Sequence, residues 1–213
     1  MAKKKIFLVS NQERLIEECV VDFTYYNGFA ITQKQKSIES MHKAFQEVKP
    51  NVKVLEISSK SPSILGRELS AFNLKIKYGS RAISLENIFQ SSKVFENGKQ
   101  FVDLLYMKPI DAKKDKRLRE NGLIVGFRFD GVDYPSEPKT LFYDWMYCRA
   151  LQENNKFAKE LCCYEAFSDI EFNFEKSLNC QARSAAIYVA LVNNHLIDEA
   201  LKDIDSFKRI VFK

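Results

Sequence analysis

One stretch fixes more of the fold than any other: Ser84-Leu85-Glu86-Asn87-Ile88-Phe89-Gln90-Ser91-Ser92-Lys93-Val94-Phe95-Glu96-Asn97-Gly98 carries both a start and a stop for a helix. Ser84 can accept a hydrogen bond from a free first-turn amide, and Gly98 offers the left-handed backbone on which helices end. The pattern predicts a single helix between them. At about 100° per residue, Leu85, Ile88, Phe89, Ser92 and Phe95 fall on one face, while Glu86, Gln90 and Lys93 recur at i, i+4 and i+7 along another. A carboxylate, an amide and an amine share one stripe.

Two readings of that stripe compete. A glutamate near a helix start and a lysine near its end both complement the helix dipole, and a charged stripe is usually a solvated face. The functional reading rests on Phe89 at the border of the stripe, because an apolar wall strips water from a lysine, lowers its pKa and makes it a nucleophile.

The rest of the chain narrows the choice by exclusion. Of 213 residues 46% are hydrophobic and 29% charged, with 7 Gly and 5 Pro, which excludes a disordered or collagen-like chain and leaves material for a sizeable core. No apolar run approaches the ~20 residues of a membrane span, and the Met1 to Lys5 start leads into only four apolar residues, so neither a span nor a signal peptide is expected. The five cysteines are odd in number, lack C-x-x-C spacing and include the adjacent Cys162-Cys163, as expected of reduced thiols in a cytoplasmic protein. His42 and His195 stand far apart, so no zinc site is expected. With no G-x-G-x-x-G and no G-x-x-x-x-G-K-[ST], no nucleotide motif and no cofactor is indicated.

Taken in order, Ile6 to Val9 reads as a short edge strand, and Cys19 to Tyr26 as a strand ending at Asn27-Gly28. Thr32 caps a helix with an apolar seam of Ile38, Met41, Phe45 and Val48, stopped by Pro50; His42 beside Met41 reads as packing. Val52 to Ile57 and Leu69 to Lys77 read as strands, separated by the polar segment Ser58 to Ser63, a plain loop or an anion-gripping one. Phe101 to Tyr106 is a short helix or strand.

Lys108 to Arg119 holds six basic residues against two acidic ones, nearly all of the chain's +5 excess. Such a cluster, with Lys113, Lys114, Lys116 and Arg117 at its centre, suits a phosphate backbone, and a solvated surface helix explains it equally well. Gly122 to Phe129, Asp130-Gly131 and Val132 to Tyr134 form a hairpin. Pro138 opens a helix holding Trp145, the single tryptophan, which serves either as core or as a stacking surface. Asn155 to Cys163 is a further helix. Asp169-Ile170-Glu171-Phe172 alternates like a strand with both carboxylates on one face. Lys176 to Arg183 starts a helix capped by Ser177 or Asn179, whose free amides with Arg183 behind them suit a diphosphate or are simply a helix cap. Leu196 to Leu201 is a short helix, and Phe207 to Phe212 a final strand or packed tail. Without repeats or a clear linker, the economical expectation is one α+β domain over 1–213, more helix than strand with a small sheet.

These motifs are similar to a known family. Glu86-x-x-Phe89-Gln90-x-x-Lys93 resembles the E-x-x-F-Q-x-x-K signature of the NADAR family, which includes the YbiA-like N-glycosidases. Gln33 to Ser40, Leu69 to Leu74, Phe89 to Glu96, Glu137 to Trp145 and Ser177 to Ser184 resemble more closely the branch paired with DarT-type DNA ADP-ribosyltransferase toxins. The resemblance covers most of the chain and implies a YbiA-like fold, with residues ~1–60 as a branch-specific extension packed on it. It implies an antitoxin that hydrolyses the bond between ADP-ribose and the exocyclic amine of guanine in DNA, single-stranded by expectation, and a cognate toxin as functional partner. The YbiA-like branch carries an Asp followed by Tyr-Trp-Gly and a Gly-x-Asn-x-Leu-Gly. Here Asp169 precedes Ile170-Glu171-Phe172 and Asn179 precedes Cys180-Gln181-Ala182, which argues against small riboflavin-pathway substrates.

On this reading the catalytic candidates are Lys93, Glu86 and Asp169, with no metal. Lys93 attacks the anomeric carbon as a neutral amine while Glu86 shuttles protons, or Lys93 is an electrostatic clamp and Glu86 or Asp169 stabilises an oxocarbenium ion. Substrate-binding candidates are Gln90, Ser70, Asn73, Asn179 and Gln181 for hydrogen bonds, Arg183 for the diphosphate, and Phe72 or Trp145 for stacking. Two other functions stay open: a module that binds ADP-ribosylated nucleic acid without turnover, and a small-metabolite N-glycosidase.

Overall fold

The computed structural model describes residues 1–10, 14–28, 30–175, 177 and 179–213. In chain order the elements are β1 (Ala2–Val9), β2 (Ile16–Phe23), α1 (Ile31–Val48), β3 (Val54–Glu56), α2 (Ile64–Glu68), β4 (Lys75–Tyr78), β5 (Arg81–Ser84), α3 (Leu85–Ser91) and β6 (Lys93–Phe95). After a 3-10 turn (Val102–Tyr106) come α4 (Pro109–Lys114), α5 (Arg117–Glu120), β7 (Ile124–Phe129), β8 (Val132–Pro135), α6 (Leu141–Glu153) and α7 (Asn155–Leu161). The chain closes with β9 (Ala166–Ser168), α8 (Gln181–Asn193), α9 (Ile197–Ala200) and α10 (Ile204–Val211). This is an α+β fold with more helix than strand, and among the described residues no helix is long and apolar enough to cross a membrane.

The largest sheet has the order β2-β1-β9-β3, with β3 parallel to β9 and the other pairs antiparallel. β1 therefore lies inside the sheet, where the sequence reading put an edge. The pleat explains why: Ile6 and Leu8 point to one face and pack with Ile38, Met41 and Phe45 of α1, and Phe7 points to the other face and joins the main core. A strand covered on both sides needs apolar residues in succession, which Ile6-Phe7-Leu8 supplies. Above that sheet lie α6 and α8, buried nearly all round, as helices at the centre of a domain must be. α6 packs on α8 and touches α3, and α8 rests on β1, so the stretch from Ser84 is carried on the central pair of helices.

Several expectations are corrected. The helix from Ser84 ends at Ser91 instead of running to Gly98. Its start is as expected, with Ser84 Oγ accepting from Asn87 N at 3.2 Å. Its end comes early because Ser91 and Ser92 hydroxyls both donate back to Ile88 O, and the β-formers that follow pair with β7, Lys93 opposite Phe127 and Val94 opposite Gly126. Asp169 lies beyond a strand instead of within one: its Oδ1 accepts from the amides of Glu171 and Phe172 at 3.0 and 3.2 Å, a side-chain turn that ends β9 at Ser168. Of the Leu69 to Lys77 segment only the end, from Lys75, is strand, in β4 (Lys75–Tyr78). Helix α1 begins one residue before Thr32, after Ala30, and no side chain caps it. α6 begins at Leu141, three residues after Pro138. The C-terminal Phe207 to Phe212, expected as a strand or packed tail, is packed but helical: through Val211 it lies in α10, capped by Asp203 accepting from Ser206 N at 2.7 Å, and Phe207 and Ile210 turn inward one turn apart. Helix α8 starts after Cys180; Lys176 and Leu178, with which the sequence reading opened it, lie outside the described residues.

Candidate functional site

The side chains of Glu86, Gln90 and Lys93 form a chain of hydrogen bonds. Gln90 Nε2 donates to Glu86 Oε1 at 2.7 Å, and Lys93 Nζ donates to Gln90 Oε1 at 2.6 Å. The i, i+4 spacing along α3 brings carboxylate and amide together, and the first residue of β6 returns the amine to the amide. Glu86 and Gln90 are 4% and 6% exposed, so the stripe is no solvated face. Lys93 Nζ sits 4.8 Å from the centre of the Phe89 ring. Burial pulls its amine down from the ordinary 10.5 to about 8; the Glu86 carboxylate resists that shift and the Lys113 ammonium adds to it. Gln90 has a further effect here. It keeps the Glu86 carboxylate one side chain away from the amine, so no direct ion pair locks Lys93 in its charged form.

The trio lies where two lobes of one cleft meet. One lobe, of about 620 Å³, has an apolar wall of Phe89, Leu123, Ile124 and Phe127. The other, of about 660 Å³, is polar and basic, lined by Ser58, Ser59, Lys60, Lys114 and Arg119 together with Asp169 and Gln181. Glu86, Gln90, Lys93, Lys113, Tyr143, Ser177 and Asn179 border both. Each lobe is of the size of a small-molecule site.

Of the other residues expected at the site, Asp169, Asn179, Gln181 and Phe72 are brought to the cleft. Gln181 Oε1 accepts from Ala71 N at 2.7 Å, which ties the start of α8 to the loop before β4. Lys113 reaches it too, 3.7 Å from Glu86 Oε2 and 5.1 Å above the Phe72 ring, and Lys114 lines the polar lobe. The remaining candidates are not brought there. Trp145 packs edge-on against Phe207 at 5.5 Å in the core. Arg183 turns to the opposite side of α8, where it pairs with the buried Asp144 and bonds Thr140 Oγ1 at 3.1 Å. Ser70 and Asn73 both donate to Arg67 O, at 2.7 and 2.9 Å, and secure a loop. Arg117 is occupied by Asp103 and Asp115 at 2.6 and 2.8 Å and covers the Phe101 ring, and Lys116 caps α5 outside the cleft. Arg183 and Trp145 thus stand away from the cleft, Arg183 held by the buried Asp144 beside a separate cavity and Trp145 packed in the core.

Sequence reasoning passed over Tyr143. It lies two positions before Trp145 in the same motif, borders both lobes, and meets the Phe89 ring edge-on at 5.1 Å. Burial, reinforced by nearby Glu86, pushes its hydroxyl well above the ordinary 10, which makes it a hydrogen-bond donor that stays neutral. The signal was available: on a helix buried all round, the polar ends of its aromatics have to find a cleft or a partner.

No protein among those with curated descriptions matches this chain. A family model described as the DarT1-associated NADAR antitoxin matches residues 2–213. The chain belongs to the DarT1-associated NADAR antitoxin family, and its role is that of an antitoxin in a DarT system.

Proposed function

We propose that this antitoxin is a hydrolase that removes ADP-ribose from the exocyclic amine of guanine in DNA. The observation that carries the reading is the desolvated Lys93 amine, linked through Gln90 to Glu86, where an apolar lobe and a basic lobe meet. The apolar lobe suits a purine, and the basic lobe with Phe72 suits an adenosine diphosphate arm. A guanine joined to ADP-ribose then lays its N-glycosidic bond across the junction.

The anomeric carbon of such a nucleoside is a masked aldehyde. Ring opening, with a proton taken up by the ring oxygen, gives a protonated imine between that carbon and the guanine nitrogen, and the later Schiff base on Lys93 is protonated in the same way. The neutral Lys93 amine adds to the imine carbon, its proton passes by way of Glu86 to the guanine nitrogen, and the carbon–guanine bond breaks. Guanine leaves with its amine restored and the sugar is held on Lys93 as a Schiff base, which water hydrolyses to ADP-ribose and free lysine. Asn179, Gln181 and the Tyr143 hydroxyl supply hydrogen bonds along the sugar, and Lys113 and Lys114 face the phosphates. The neutral amine favours this route over an ammonium clamp, since a group near about 8 is substantially unprotonated in its working range.

The test is incubation with a guanine-ADP-ribosylated single-stranded oligonucleotide in the presence of EDTA and, in parallel, borohydride. Free ADP-ribose, with a borohydride-trapped adduct that Lys93→Ala lacks, is the expected result. A stable shifted complex without release makes the protein a binder and overturns the proposal; release without any adduct overturns the Schiff-base step.

A further inference from the structure

Beneath the polar lobe, on the side of the four-stranded sheet, lies a group of charges outside the motif residues. Glu56 of β3 is 1% exposed and grips the chain on both sides of Asp169: its Oε2 accepts from Ser168 Oγ at 2.5 Å and its Oε1 from Ile170 N at 2.8 Å. At the far end of the same turn Lys4 Nζ donates to Phe172 O. His42 Nε2, from α1 on the face of the sheet that Ala166 shares, meets Ser168 Oγ at 2.8 Å. Three elements of the first sixty residues thus converge on the turn that carries Asp169.

The charges do not balance if every acid is ionised. Among the described residues Lys4 is the cation that faces both Glu56 and Asp169; Glu171 also faces Lys4 and is matched by its own pair with Lys34 at 3.1 Å. Burial drives His42 down to about 4, so it is neutral at physiological pH and supplies no second positive charge. Facing Asp169 from α6 and the start of α8 are Tyr143, Tyr147 and Cys180, all held in their neutral forms by burial, and Gln181, whose amide bonds the Asp169 carboxyl. Glu56 is further bonded by Ser58. Two acids out of water with one cation keep a proton, because one negative charge is matched and the second is not.

We infer that Glu56 is a positioning residue for the hydrolysis: Glu56 and Asp169 hold one proton between them, and Glu56 presents Asp169 to the polar lobe as a neutral acid. This rests on the hydrolase reading above and gives Asp169 a task in it. As the bond between the ribose ring oxygen and the anomeric carbon breaks, the Asp169 carboxyl gives its proton to that oxygen, and the guanine nitrogen's electron pair completes the imine. Asp169 is left as a carboxylate beside Lys4. When the released aldehyde recloses, the sugar hydroxyl returns that proton to Asp169 as its oxygen bonds the carbonyl carbon, and the carbonyl oxygen takes a proton from water.

Infrared spectra of the full-length protein near pH 6 test the shared proton without substrate. The expected result is a protonated-carboxyl band that disappears both in Glu56→Gln and in Asp169→Asn, since removing either acid lets the other ionise against Lys4. A wild-type spectrum without the band, or a band that survives in either variant, overturns the inference. Should Glu56→Gln fail to fold, Lys4→Met replaces it: removing the cation adds a second proton and doubles the band, and an unchanged band overturns. In the ADP-ribose release assay Glu56→Gln, which leaves Asp169 ionised, lowers kcat by about tenfold or more while KM holds, a split that a purely structural role does not produce. The infrared result holds or fails whatever the substrate, so a wrong substrate and a wrong proton count are distinguishable.

Discussion

Replacing Gln90 by glutamate puts a carboxylate oxygen where the amide oxygen now stands, 2.6 Å from Lys93 Nζ, with almost no change of shape. Coulomb attraction at that distance is about 1.6 kcal/mol in water and about 6 kcal/mol at an effective dielectric constant near 20, or roughly one to four pH units. Desolvation of the new carboxylate favours the lower part of that range, in line with the shift of about 1 to 3 that an adjacent opposite charge produces. The Lys93 amine therefore moves from about 8 to roughly 9–11. Near pH 7.5 its neutral share falls from roughly a quarter to between about one part in thirty and one in three thousand. Single-turnover release of ADP-ribose from the modified oligonucleotide should drop about ten- to thousand-fold at that pH and recover on the alkaline side. The comparison is read above about pH 8, because Glu86 and the carboxyl introduced at position 90 share a proton at the acid end of the range. A rising limb that stays at about 8 in Gln90→Glu, or a loss of rate equal at every pH, refutes the neutral-amine nucleophile.

Three further outcomes follow from the same geometry. Between about pH 8 and 10.5 the unfolded chain keeps a proton that folded Lys93 releases, so burying this amine destabilises the fold below about 8 and the penalty fades as pH rises to about 10.5; Lys93→Met should abolish activity yet raise stability near neutral pH by about 1–3 kcal/mol in urea unfolding, a gain lost near pH 10.5. Arg183→Ala leaves Asp144, 1% exposed, without its cation and should cost about 3 kcal/mol, read as a drop in Tm of roughly 6–12 °C, while KM for the oligonucleotide stays unchanged in the folded fraction. Lys114→Gln should flatten the salt dependence of oligonucleotide binding by about 0.7 in log–log slope, and Arg117→Gln should leave that slope as it is, because its guanidinium is already neutralised by two carboxylates.

How much of this was legible in the letters depended on whether the cause was local. The Ser84 cap, the Asp130-Gly131 hairpin and the apolar seam of α1 as far as Phe45, with Val48 left 59% exposed, each arise from a few neighbouring residues, and sequence reads such causes well. The end of α3, the turn at Asp169 and the interior position of β1 depend on partners far along the chain, Phe127 for Lys93, Glu56 for the residues flanking Asp169, and Ala166 and Phe167 for β1. The site divides in the same way. Glu86, Gln90 and Lys93 announce themselves by spacing, whereas Arg183 next to a helix start looks like an anion ligand until the rotation of α8 is known, and that rotation is set by which face α6 buries. Lys4 is one of three successive lysines, and its pairing with the Asp169 turn follows from the register of β1 within the sheet.

The helix that stops short is also what gives the amine its character. Seven residues of unbroken helix would place Lys93 about 10 Å along the axis from Glu86, with its side chain free to extend past the last turn into water. The break after Ser91 instead sets Lys93 opposite Phe127 in β6 and β7, and Phe127 stacks on Phe142 at 4.6 Å and leans on Phe89 at 5.6 Å. Aromatic rings now wall the amine on the side where a helix would have offered solvent, and burial is the largest cause of its lowered pKa. Two serines that compete for the carbonyl of Ile88 thus convert an ordinary dipole-matched stripe into a desolvated amine with a carboxylate one side chain away. Substituting Ser91 and Ser92 together by alanine removes that competition, and the same logic requires the rising limb of the pH profile to move from about 8 toward the ordinary 10.5 to whatever extent the helix grows through residue 93.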